Sequence, residues 1–181
     1  MTDKLLIILD IDETLVFSTL TPLKRKENFL IDQYYVYQRP YLGHFIQFCL
    51  DNFQIAVWSS SSPSYAEAMV QHIFPKTNNL EFIWSRDQCT QRIDPETGYL
   101  YWLKNLKKVK RRGYDLNRVL MIDDSAEKLQ KNYGNHLLVK QFLGDETDNE
   151  LLYLRKYLES IKETDNIRSL DKRRWRNQHF L

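Results

Sequence analysis

An unbroken apolar run near the start of the chain, Leu5–Leu9, is followed at once by two carboxylates, Asp10 and Asp12. A run of this kind predicts a strand that is buried on both faces, as in a parallel sheet covered by helices. The carboxyl end of such a strand is where open α/β folds place their ligands. Two acids at that point repel each other unless a cation lies between them or one of them keeps its proton. The run therefore predicts an α/β fold with a reactive acidic site.

The rest of the chain alternates short apolar strands with helices, which predicts a parallel, doubly wound sheet. Further strands are expected at 54–58, 80–84, 118–122 and 137–142, and helices at 41–53, 63–74, 104–111 and after a capping box of Thr147 and Glu150. We also expect a small hairpin at 29–38 and an insertion at 85–102 with a turn at 95–98. No shift in composition marks a boundary, so residues 1–181 are expected to form one domain.

Composition and charge exclude several classes of protein. Hydrophobic residues make up 43% of the 181 residues, which is typical of a folded globular chain and not of a disordered one. The formal net charge of +2 produces no global field that would require a nucleic acid or a membrane as partner. Basic residues are concentrated at 104–112 and 168–176, where they form either a solvated face or an aid to binding an anionic substrate.

The cysteines and the N-terminus predict a reduced, intracellular protein. Cys49 and Cys89 stand in unrelated contexts and suggest neither a disulfide framework nor a zinc site. Cys49 lies in an apolar helical stretch and is expected to be a core residue. The opening residues, MTDK, resemble neither a signal peptide nor a membrane span. We expect a cytoplasmic location, or a nuclear one if the source is eukaryotic.

Polar groups follow several of the predicted strands or begin a helix: the pair Asp10 and Asp12, the serines that start at Ser59, the basic residue Lys104, and the pair Asp123 and Asp124. Because strand ends of one polarity share one edge of a parallel sheet, these groups can converge. Four converging carboxylates need a cation, and hard oxygen ligands select Mg²⁺. Serine hydroxyls, the free N–H groups of a helix start and a lysine bind anions. Together they predict phosphoryl transfer through an aspartyl-phosphate.

Four segments, in order along the chain, resemble the motifs of the haloacid dehalogenase superfamily of phosphohydrolases: LDIDETLV, VWSSS, LKNL around Lys104, and LMIDDS. The first resembles the DxDxT signature of that superfamily. More narrowly, DETL, RPYLGHF, SRDQC, LKNL and GDETDNELLYL resemble the RNA polymerase II C-terminal-domain phosphatase family, especially its small, NLI-interacting-factor-like members. The resemblance covers nearly the whole chain and implies a Rossmann-like parallel-sheet core with small β-hairpin insertions.

The resemblance implies a role for each matching carboxylate. Asp10 would be the nucleophile and would contribute one oxygen to Mg²⁺. Asp12 would be the general acid for the leaving group and then the base that activates water, with its backbone carbonyl touching the metal. Asp123 would ligate Mg²⁺, and Asp124 would act close by, either directly or through water.

The resemblance also implies contacts with phosphate for residues of the second and third motifs. Ser59 would contact the transferring phosphoryl oxygens, and Ser60 or Ser61 could take that place. Lys104 would neutralise the charge that Asp10 shares with the phosphate, although Lys107 and Lys108 lie one helical turn further on and compete for this role.

The chain departs from the family pattern at several positions. Relatives often have threonine at Ser59 and asparagine at Asp124; the serine keeps the hydroxyl, while the extra acid adds negative charge beside the metal. Asn105 replaces the usual aspartate after the lysine, and the insertion before Lys104 is longer than in small phosphatases. The histidines have no partners at ligand spacing and are expected to be ordinary residues: His44, His72, His136 and His179.

The spacing of the motifs predicts an open site. The intervals from Asp12 to Ser59 and from Ser59 to Lys104 are each shorter than the roughly 50 residues that a separate cap domain needs. An open site favours a phosphorylated protein or peptide as substrate, with tyrosines 34, 35 and 37 and the segment 99–102 as apolar walls. Two alternatives stay open: a phosphatase for small phosphoesters or nucleic-acid phosphate ends, and a non-catalytic phospho-binding module.

Overall fold

The computed structural model describes residues 4–94 and 96–177. Its strands are β1 (Leu6–Leu9), β2 (Val16–Thr19), β3 (Phe29–Ile31), β4 (Tyr34–Gln38), β5 (Gln54–Trp58), β6 (Leu80–Trp84), β7 (Thr90–Ile93), β8 (Leu100–Leu103), β9 (Val119–Asp123) and β10 (His136–Leu138). Its α-helices are α1 (Leu42–Asn52), α2 (Pro63–Ile73), α3 (Lys107–Arg111) and α4 (Glu150–Ile161). Short 3₁₀ turns connect several of these elements.

The core of the fold is a five-stranded parallel sheet with the strand order β10-β9-β1-β5-β6. From the central strand β1 the chain winds outward through β5 and β6, then crosses to the other side of β1 to form β9 and β10. The winding direction therefore reverses between β1 and β9, and ligands of open α/β sheets bind at such a switch point. This topology confirms the predicted doubly wound α/β fold.

Alternate side chains of β1 enter two separate hydrophobic clusters, one on each face of the sheet. Ile7 and Leu9 pack in the cluster that contains the buried faces of α1, α2 and α4. Ile8 packs on the opposite face, with Leu106 and Val109 of the α3 region. Burial on both faces explains why β1 is apolar at every position and not only at alternate ones.

Two antiparallel insertions lie outside the parallel sheet. The hairpin predicted at residues 29–38 is formed by β3 and β4, but β2 adds a third strand to it, in the order β2-β4-β3. The insertion predicted at 85–102 folds into the hairpin of β7 and β8. Pro95, the first residue of the turn predicted there, lies outside the described residues.

The last strand is shorter than predicted. Residues 54–58 and 80–84 form strands with the expected bounds, but β10 ends at Leu138 and not at Phe142. Its neighbour β9 ends at Asp123, which is paired with Leu138, so the sheet offers no further partner. Beyond this point, the backbone N–H of Phe142 donates to the carbonyl of Glu13 in the loop after β1, at 2.7 Å.

Two helix starts also differ from the prediction. The helix expected at 104–111 begins only at Lys107, because the backbone N–H of Lys104 donates to the carbonyl of Lys128 at 2.8 Å and leaves Lys104 in the loop after β8. The predicted capping box of Thr147 and Glu150 was wrong. Helix α4 begins at Glu150, whose backbone N–H donates to Asp148 Oδ1 at 2.9 Å. The hydroxyl of Thr147 instead donates to Asp145.

Two observations bear on the environment of the protein. No helix within residues 4–94 and 96–177 is long and apolar enough to cross a membrane. Both cysteines are free thiols, and Cys49 is buried in the core as predicted, whereas Cys89 is half-buried.

His179, which was expected to be an ordinary residue, lies outside the described residues.

Candidate active site

Two aspartates from neighbouring strands share one buried lysine at the switch point. Asp10 follows β1 and Asp123 ends β9, and the backbone N–H of Asp10 donates to the carbonyl of Ile122 at 3.0 Å. Lys104 Nζ lies 2.9 Å from Asp10 Oδ1 and 2.7 Å from Asp123 Oδ2. All three side chains are buried. The tertiary structure thus brings Lys104, and not one of its competitors, against the two acids.

The competing lysines lie elsewhere. Lys107 is exposed at the start of α3, and Lys108 Nζ donates to the backbone carbonyl of Gln88 at 2.8 Å. Neither side chain has an ion pair with the acids of the site among the described residues. The position of Lys104 supports its predicted role beside Asp10.

A second ammonium group, which the sequence analysis did not single out, also reaches the acids. Lys128 lies on the 3₁₀ turn Ala126–Leu129 behind β9, and its Nζ is 3.1 Å from Asp10 Oδ2. The same nitrogen lies 3.6 Å from Asp123 Oδ1 and 3.9 Å from Asp124 Oδ1. The only local sign of this contact is the i, i+4 spacing of Asp124 and Lys128, which is common on solvated surfaces.

The two ammonium groups decide which acid of the cluster is charged. Burial opposes ionisation of Asp10, but Lys104 and Lys128 outweigh it and lower its pKa to about 2. Burial and the charge of Asp10 raise the pKa of Asp123. Burial also raises the pKa of Asp124 to about 6, against the opposing effect of Lys128. Asp10 is therefore the acid of this cluster that is most strongly held as a carboxylate.

Three carboxylates of the site fit a divalent metal ion. Asp10, Asp123 and Asp124 each offer an oxygen, and these oxygens lie within 4.8 Å of one another. Hard oxygen donors on carboxylates are the ligands that Mg²⁺ prefers, usually with several waters retained. The side chain of Asp12 is not part of this group. The metal contact predicted for Asp12 was through its backbone carbonyl, and this stays a prediction.

Asp12 has a different environment, made of hydroxyl groups. Ser61 Oγ donates to Asp12 Oδ2 at 2.7 Å, and Tyr65 Oη donates to Asp12 Oδ1 at 2.7 Å. Ser18 Oγ lies 2.6 Å from the same tyrosine oxygen and 3.3 Å from the same carboxylate oxygen. Burial raises the pKa of Asp12, although the hydrogen bonds from Tyr65 and Ser61 oppose this. Asp12 therefore keeps its proton more readily than an exposed aspartate.

The turn after β1 separates the two acids. The N–H of Leu15 donates to the carbonyl of Ile11 at 2.8 Å, and the N–H of Glu13 donates to the carbonyl of Val16 at 2.8 Å. Glu13 adopts a left-handed backbone conformation with φ of 56°, which is costly for a residue with a Cβ. Burial and the neighbouring charge of Asp12 raise the pKa of Glu13 to about 7.

The serines after β5 lie where an anion could be bound. Ser59 is buried, and its Oγ accepts a hydrogen bond from the N–H of Ser61 at 3.0 Å, which leaves the hydroxyl proton to donate to another group. Ser60 lies at the cleft, and its carbonyl accepts from Arg86 Nε at 2.8 Å. These contacts fix the loop that precedes α2, while the contact of Ser59 and Ser60 with phosphate stays a prediction.

A cleft of about 500 Å³ opens above these groups. Asp12, Ser60 and Lys128 line it, together with residues of both antiparallel insertions, namely Tyr34 and Trp102. The guanidinium of Arg86 lies over the ring of Trp102, with 5.2 Å between its Cζ atom and the ring centroid.

The aromatic walls expected from the sequence are only partly present. Tyr34 and Trp102 line the cleft, but Tyr37 is buried in the core and its hydroxyl accepts from the N–H of Leu23 at 2.8 Å. Tyr65 and Ser18, which hold Asp12, were not predicted from the sequence. Tyr65 is 53 residues from Asp12 along the chain, and Ser18 approaches Asp12 only because the turn after β1 folds back into β2.

Known proteins resemble this chain over almost all of its length. Residues 5–168 match the family model described as NLI interacting factor-like phosphatase. A "CTD small phosphatase-like protein 2" of Dictyostelium discoideum is 28% identical over 172 residues, which cover 91% of this chain and 29% of that protein. The human "Carboxy-terminal domain RNA polymerase II polypeptide A small phosphatase 1" is 26% identical over 175 residues, or 93% of this chain and 63% of the relative. The chain thus spans less than two thirds of either protein.

A solved structure shares the fold. "The Structure of Fcp1, an essential RNA polymerase II CTD phosphatase" matches with a TM-score of 0.67 and 18% identity, over 88% of this chain and 62% of the other. At this identity the similarity establishes the fold alone.

Proposed function

The chain belongs to the NLI interacting factor-like phosphatase family, and on that premise we propose that it is a Mg²⁺-dependent phosphatase for phosphoserine and phosphothreonine in proteins. The observation that carries the proposal is the contrast between its two neighbouring acids. Asp10 contacts two ammonium groups and is held ionised, whereas Asp12 is surrounded by hydroxyls and its pKa is raised. A nucleophile must be ionised and a general acid protonated, so the two environments match the two roles.

The first step forms an aspartyl-phosphate. A carboxylate oxygen of Asp10 attacks phosphorus, and a new P–O bond forms as the bond between phosphorus and the substrate oxygen breaks. Asp12 gives its proton to that leaving oxygen, which departs as the serine or threonine hydroxyl. Ser59 and Ser60 would donate to the phosphoryl oxygens, and Lys104 offsets the charge that Asp10 and the phosphate share.

The second step restores the enzyme. Asp12, now a carboxylate, takes a proton from a water molecule as that water attacks phosphorus. The bond between phosphorus and the Asp10 oxygen breaks, inorganic phosphate leaves, and both aspartates return to their starting states. The hydrogen bonds from Ser61 and Tyr65 hold the Asp12 carboxylate in one orientation for both proton transfers.

Four groups would hold the metal: the carboxylates of Asp10, Asp123 and Asp124, and the backbone carbonyl of Asp12. When bound there, Mg²⁺ neutralises negative charge so that an anionic phosphate can approach an anionic nucleophile. Lys104 keeps Asp10 and Asp123 at a fixed separation through its two contacts.

The open cleft supports a substrate carried on a protein or peptide. Its walls come from two antiparallel insertions and present Tyr34 and Trp102, which suit an extended chain. The names of the relatives also refer to phosphatases of a polypeptide, the C-terminal domain of RNA polymerase II. We propose that residues 1–181 form a single catalytic domain of this kind, and that it acts in the cytoplasm or nucleus, where its free thiols would stay reduced.

The test is turnover of p-nitrophenyl phosphate by the wild type and by Asp10→Asn. We expect turnover with Mg²⁺, its loss with EDTA, and a loss of at least about 10⁴-fold in the variant, because an amide cannot attack phosphorus. Asp51→Asn, an exposed acid at the end of α1, is the matched control and should keep full activity. Wild-type turnover by the Asp10 variant would rule out the covalent route, and no turnover of any phosphoester would favour a binding module.

A further inference from the structure

Lys128 lies against the same three carboxylates that fit the metal. Its Nζ is 3.1 Å from an oxygen of Asp10, 3.6 Å from one of Asp123 and 3.9 Å from one of Asp124. One oxygen from each of these carboxylates lies within 4.8 Å of the others, so the ammonium lies next to the group that could hold a metal ion. A cation from the chain itself therefore neutralises the group of acids.

The two lysines of the site differ in how firmly they are held. Lys104 is fully buried and contacts Asp10 and Asp123 at 2.9 and 2.7 Å. The side chain of Lys128 is 16% exposed and contributes to the lining of the substrate cleft. The contacts of Lys128 with Asp123 and Asp124 are also longer than hydrogen bonds. Lys128 can therefore leave the acids toward the cleft, whereas Lys104 has no comparable exit.

Lys104 contacts Oδ1 of Asp10 and Oδ2 of Asp123, whereas Lys128 lies against the other oxygen of each carboxylate. A metal bound through these other oxygens would have to compete with Lys128. An ammonium and a divalent ion a few ångströms apart repel strongly in a partly buried site, where solvent screening is weak. We propose that Lys128 is a built-in competitor of the metal: it occupies the acidic group until Mg²⁺ displaces it, and the displaced ammonium then faces the substrate phosphate in the cleft. This inference rests on the metal site of the proposed function.

The displacement would couple metal binding to substrate binding. The lining of the cleft includes the acids Glu13 and Asp32, which disfavour a phosphate when ionised, and one cation besides Lys128, Arg86. An ammonium that moves from the acidic group into this cleft adds a positive charge where the phosphate enters. Metal and phosphate would then bind more tightly together than either does alone.

The first measurement is Mg²⁺ affinity, obtained by isothermal titration calorimetry without any substrate. Lys128→Met should bind Mg²⁺ about 10- to 100-fold more tightly than the wild type, because it keeps the stem but removes the competing charge. Lys128→Arg keeps the charge and should bind no more tightly than the wild type. Lys131→Met, at an exposed position of the following loop, is the matched control and should leave the affinity unchanged.

Equal affinity of the wild type and Lys128→Met for Mg²⁺ would overturn the inference, as would weaker binding by the variant. If Lys128→Met does not fold, Lys128→Gln serves instead, and the same tightening is required of it. Because this comparison needs no turnover, it is independent of the Asp10→Asn assay: the inference can fail while that assay succeeds, and the reverse also holds.

The second measurement is the affinity for inorganic phosphate at saturating Mg²⁺. Lys128→Met should bind phosphate at least about 10-fold more weakly than the wild type, because it lacks the charge that faces the cleft. Lys131→Met should again match the wild type. Unchanged phosphate affinity in Lys128→Met would overturn the step in which the ammonium turns toward the substrate.

Discussion

At the scale of single residues, Asp10 and Asp12 show how two acids separated by one position can have different surroundings. In a straight strand, side chains at i and i+2 lie on the same face. Here the strand ends at Leu9, and a turn follows that is closed by backbone hydrogen bonds of Ile11 and Glu13. This turn places the side chain of Asp12 against Ser61 and Tyr65 and not with the three carboxylates that fit a metal ion. Asp10 and Asp12, the proposed nucleophile and the proposed acid–base residue, thus lie two positions apart in sequence but in different electrostatic environments.

The role of Asp12 makes a prediction about leaving groups. Asp12→Asn should lower kcat/KM for a phosphoserine peptide by about 10²- to 10⁴-fold, because the serine oxygen needs a proton as it leaves. An aryl phosphate needs the acid less, so formation of the aspartyl-phosphate from it should slow less, while its hydrolysis should slow as much. Single-turnover and steady-state kinetics on both substrates separate the two steps.

Asp32→Asn is the control for this comparison, since Asp32 lines the same cleft and the substitution likewise replaces a carboxyl group with an amide. It should affect both substrates to the same small degree. An equal loss for the peptide and the aryl phosphate in Asp12→Asn would contradict the assignment of Asp12 as the acid.

At the scale of elements, one buried arginine joins three segments around the site. Arg39, just after β4, forms a two-pronged ion pair with Asp148, at 2.8 and 2.9 Å. It also donates to the carbonyl of Thr14 in the turn after β1, at 2.9 Å, and to the carbonyl of Lys140 at 2.8 Å. A single side chain of the β2–β4 sheet therefore holds the turn that carries the acids, the segment after β10 and the residues just before α4.

This ion pair predicts a dependence of stability on pH. The hydrogen bonds from Arg39 and from the N–H of Glu150 lower the pKa of Asp148 against the effect of burial. A lowered pKa contributes stability above the ordinary carboxyl pKa of about 4, and that contribution is lost as the pH falls through the folded value. Asp148→Asn should lower the free energy of unfolding by about 3 to 5 kcal/mol at pH 7.

Urea unfolding of both proteins from pH 7 to pH 2 measures this effect. The difference between the wild type and Asp148→Asn should shrink as the pH falls below about 4. Glu159→Gln breaks the exposed pair with Lys162 and should cost at most about 1 kcal/mol at any pH. A difference that stays constant down to pH 2 would show that the charge of Asp148 does not stabilise the fold.

A glycine before α4 tests the packing of the β2–β4 insertion. Gly144 has φ of 91°, and a Cβ at this position would lie 2.6 Å from Leu23 Cδ1 and 3.2 Å from Phe17 Cδ1. Gly113 has a similar φ of 97° but nothing within 4 Å of its Cβ position. Gly113→Ala should cost about 1 to 2 kcal/mol of unfolding free energy for its backbone alone.

Gly144→Ala should cost about 1 to 3 kcal/mol more than Gly113→Ala, because the added methyl group overpacks a filled contact. Chemical denaturation of the two variants under the same conditions measures this difference. Equal losses would mean that Leu23 and Phe17 move aside freely, and that the insertion is packed loosely against this loop.

At the scale of the whole molecule, the two antiparallel insertions form the walls of an open cleft at the switch point of the parallel sheet. Tyr34 of β4 and Trp102 of β8 both line this cleft. Such walls can bind the chain that surrounds a phosphorylated residue, and binding energy from these remote parts of a substrate can be used in the transition state. A small metabolite lacks those parts.

We therefore predict that phosphopeptides have a kcat/KM at least about 10-fold higher than sugar or nucleotide monophosphates. Trp102→Ala should lower kcat/KM for phosphopeptides but leave that for p-nitrophenyl phosphate nearly unchanged. Ile93→Ala, which removes an exposed side chain of the same hairpin outside the cleft lining, is the control. The opposite ranking of substrates in a side-by-side assay would favour the small-phosphoester alternative.

The amino-acid sequence by itself determined the sheet and the identity of most candidate site residues. β5 and β6 have the predicted bounds because a short apolar run is a local signal, read without knowledge of its neighbours. Asp10 and Asp123 could be found for the same reason, since each directly follows or ends such a run. Because the carboxyl ends of parallel strands share one edge of the sheet, the two residues were then predicted to converge.

Only the tertiary structure decided which groups surround each acid. Lys128 contacts Asp10 across 118 positions of the chain, and Tyr65 contacts Asp12 across 53, so no local pattern records either pair. The early end of β10 has a similar cause, because a strand continues only as far as its neighbour β9 offers backbone partners. Burial and strand positions are local enough to be encoded in short runs of sequence, whereas strand order, hydrogen bonds and ion pairs depend on where distant segments meet.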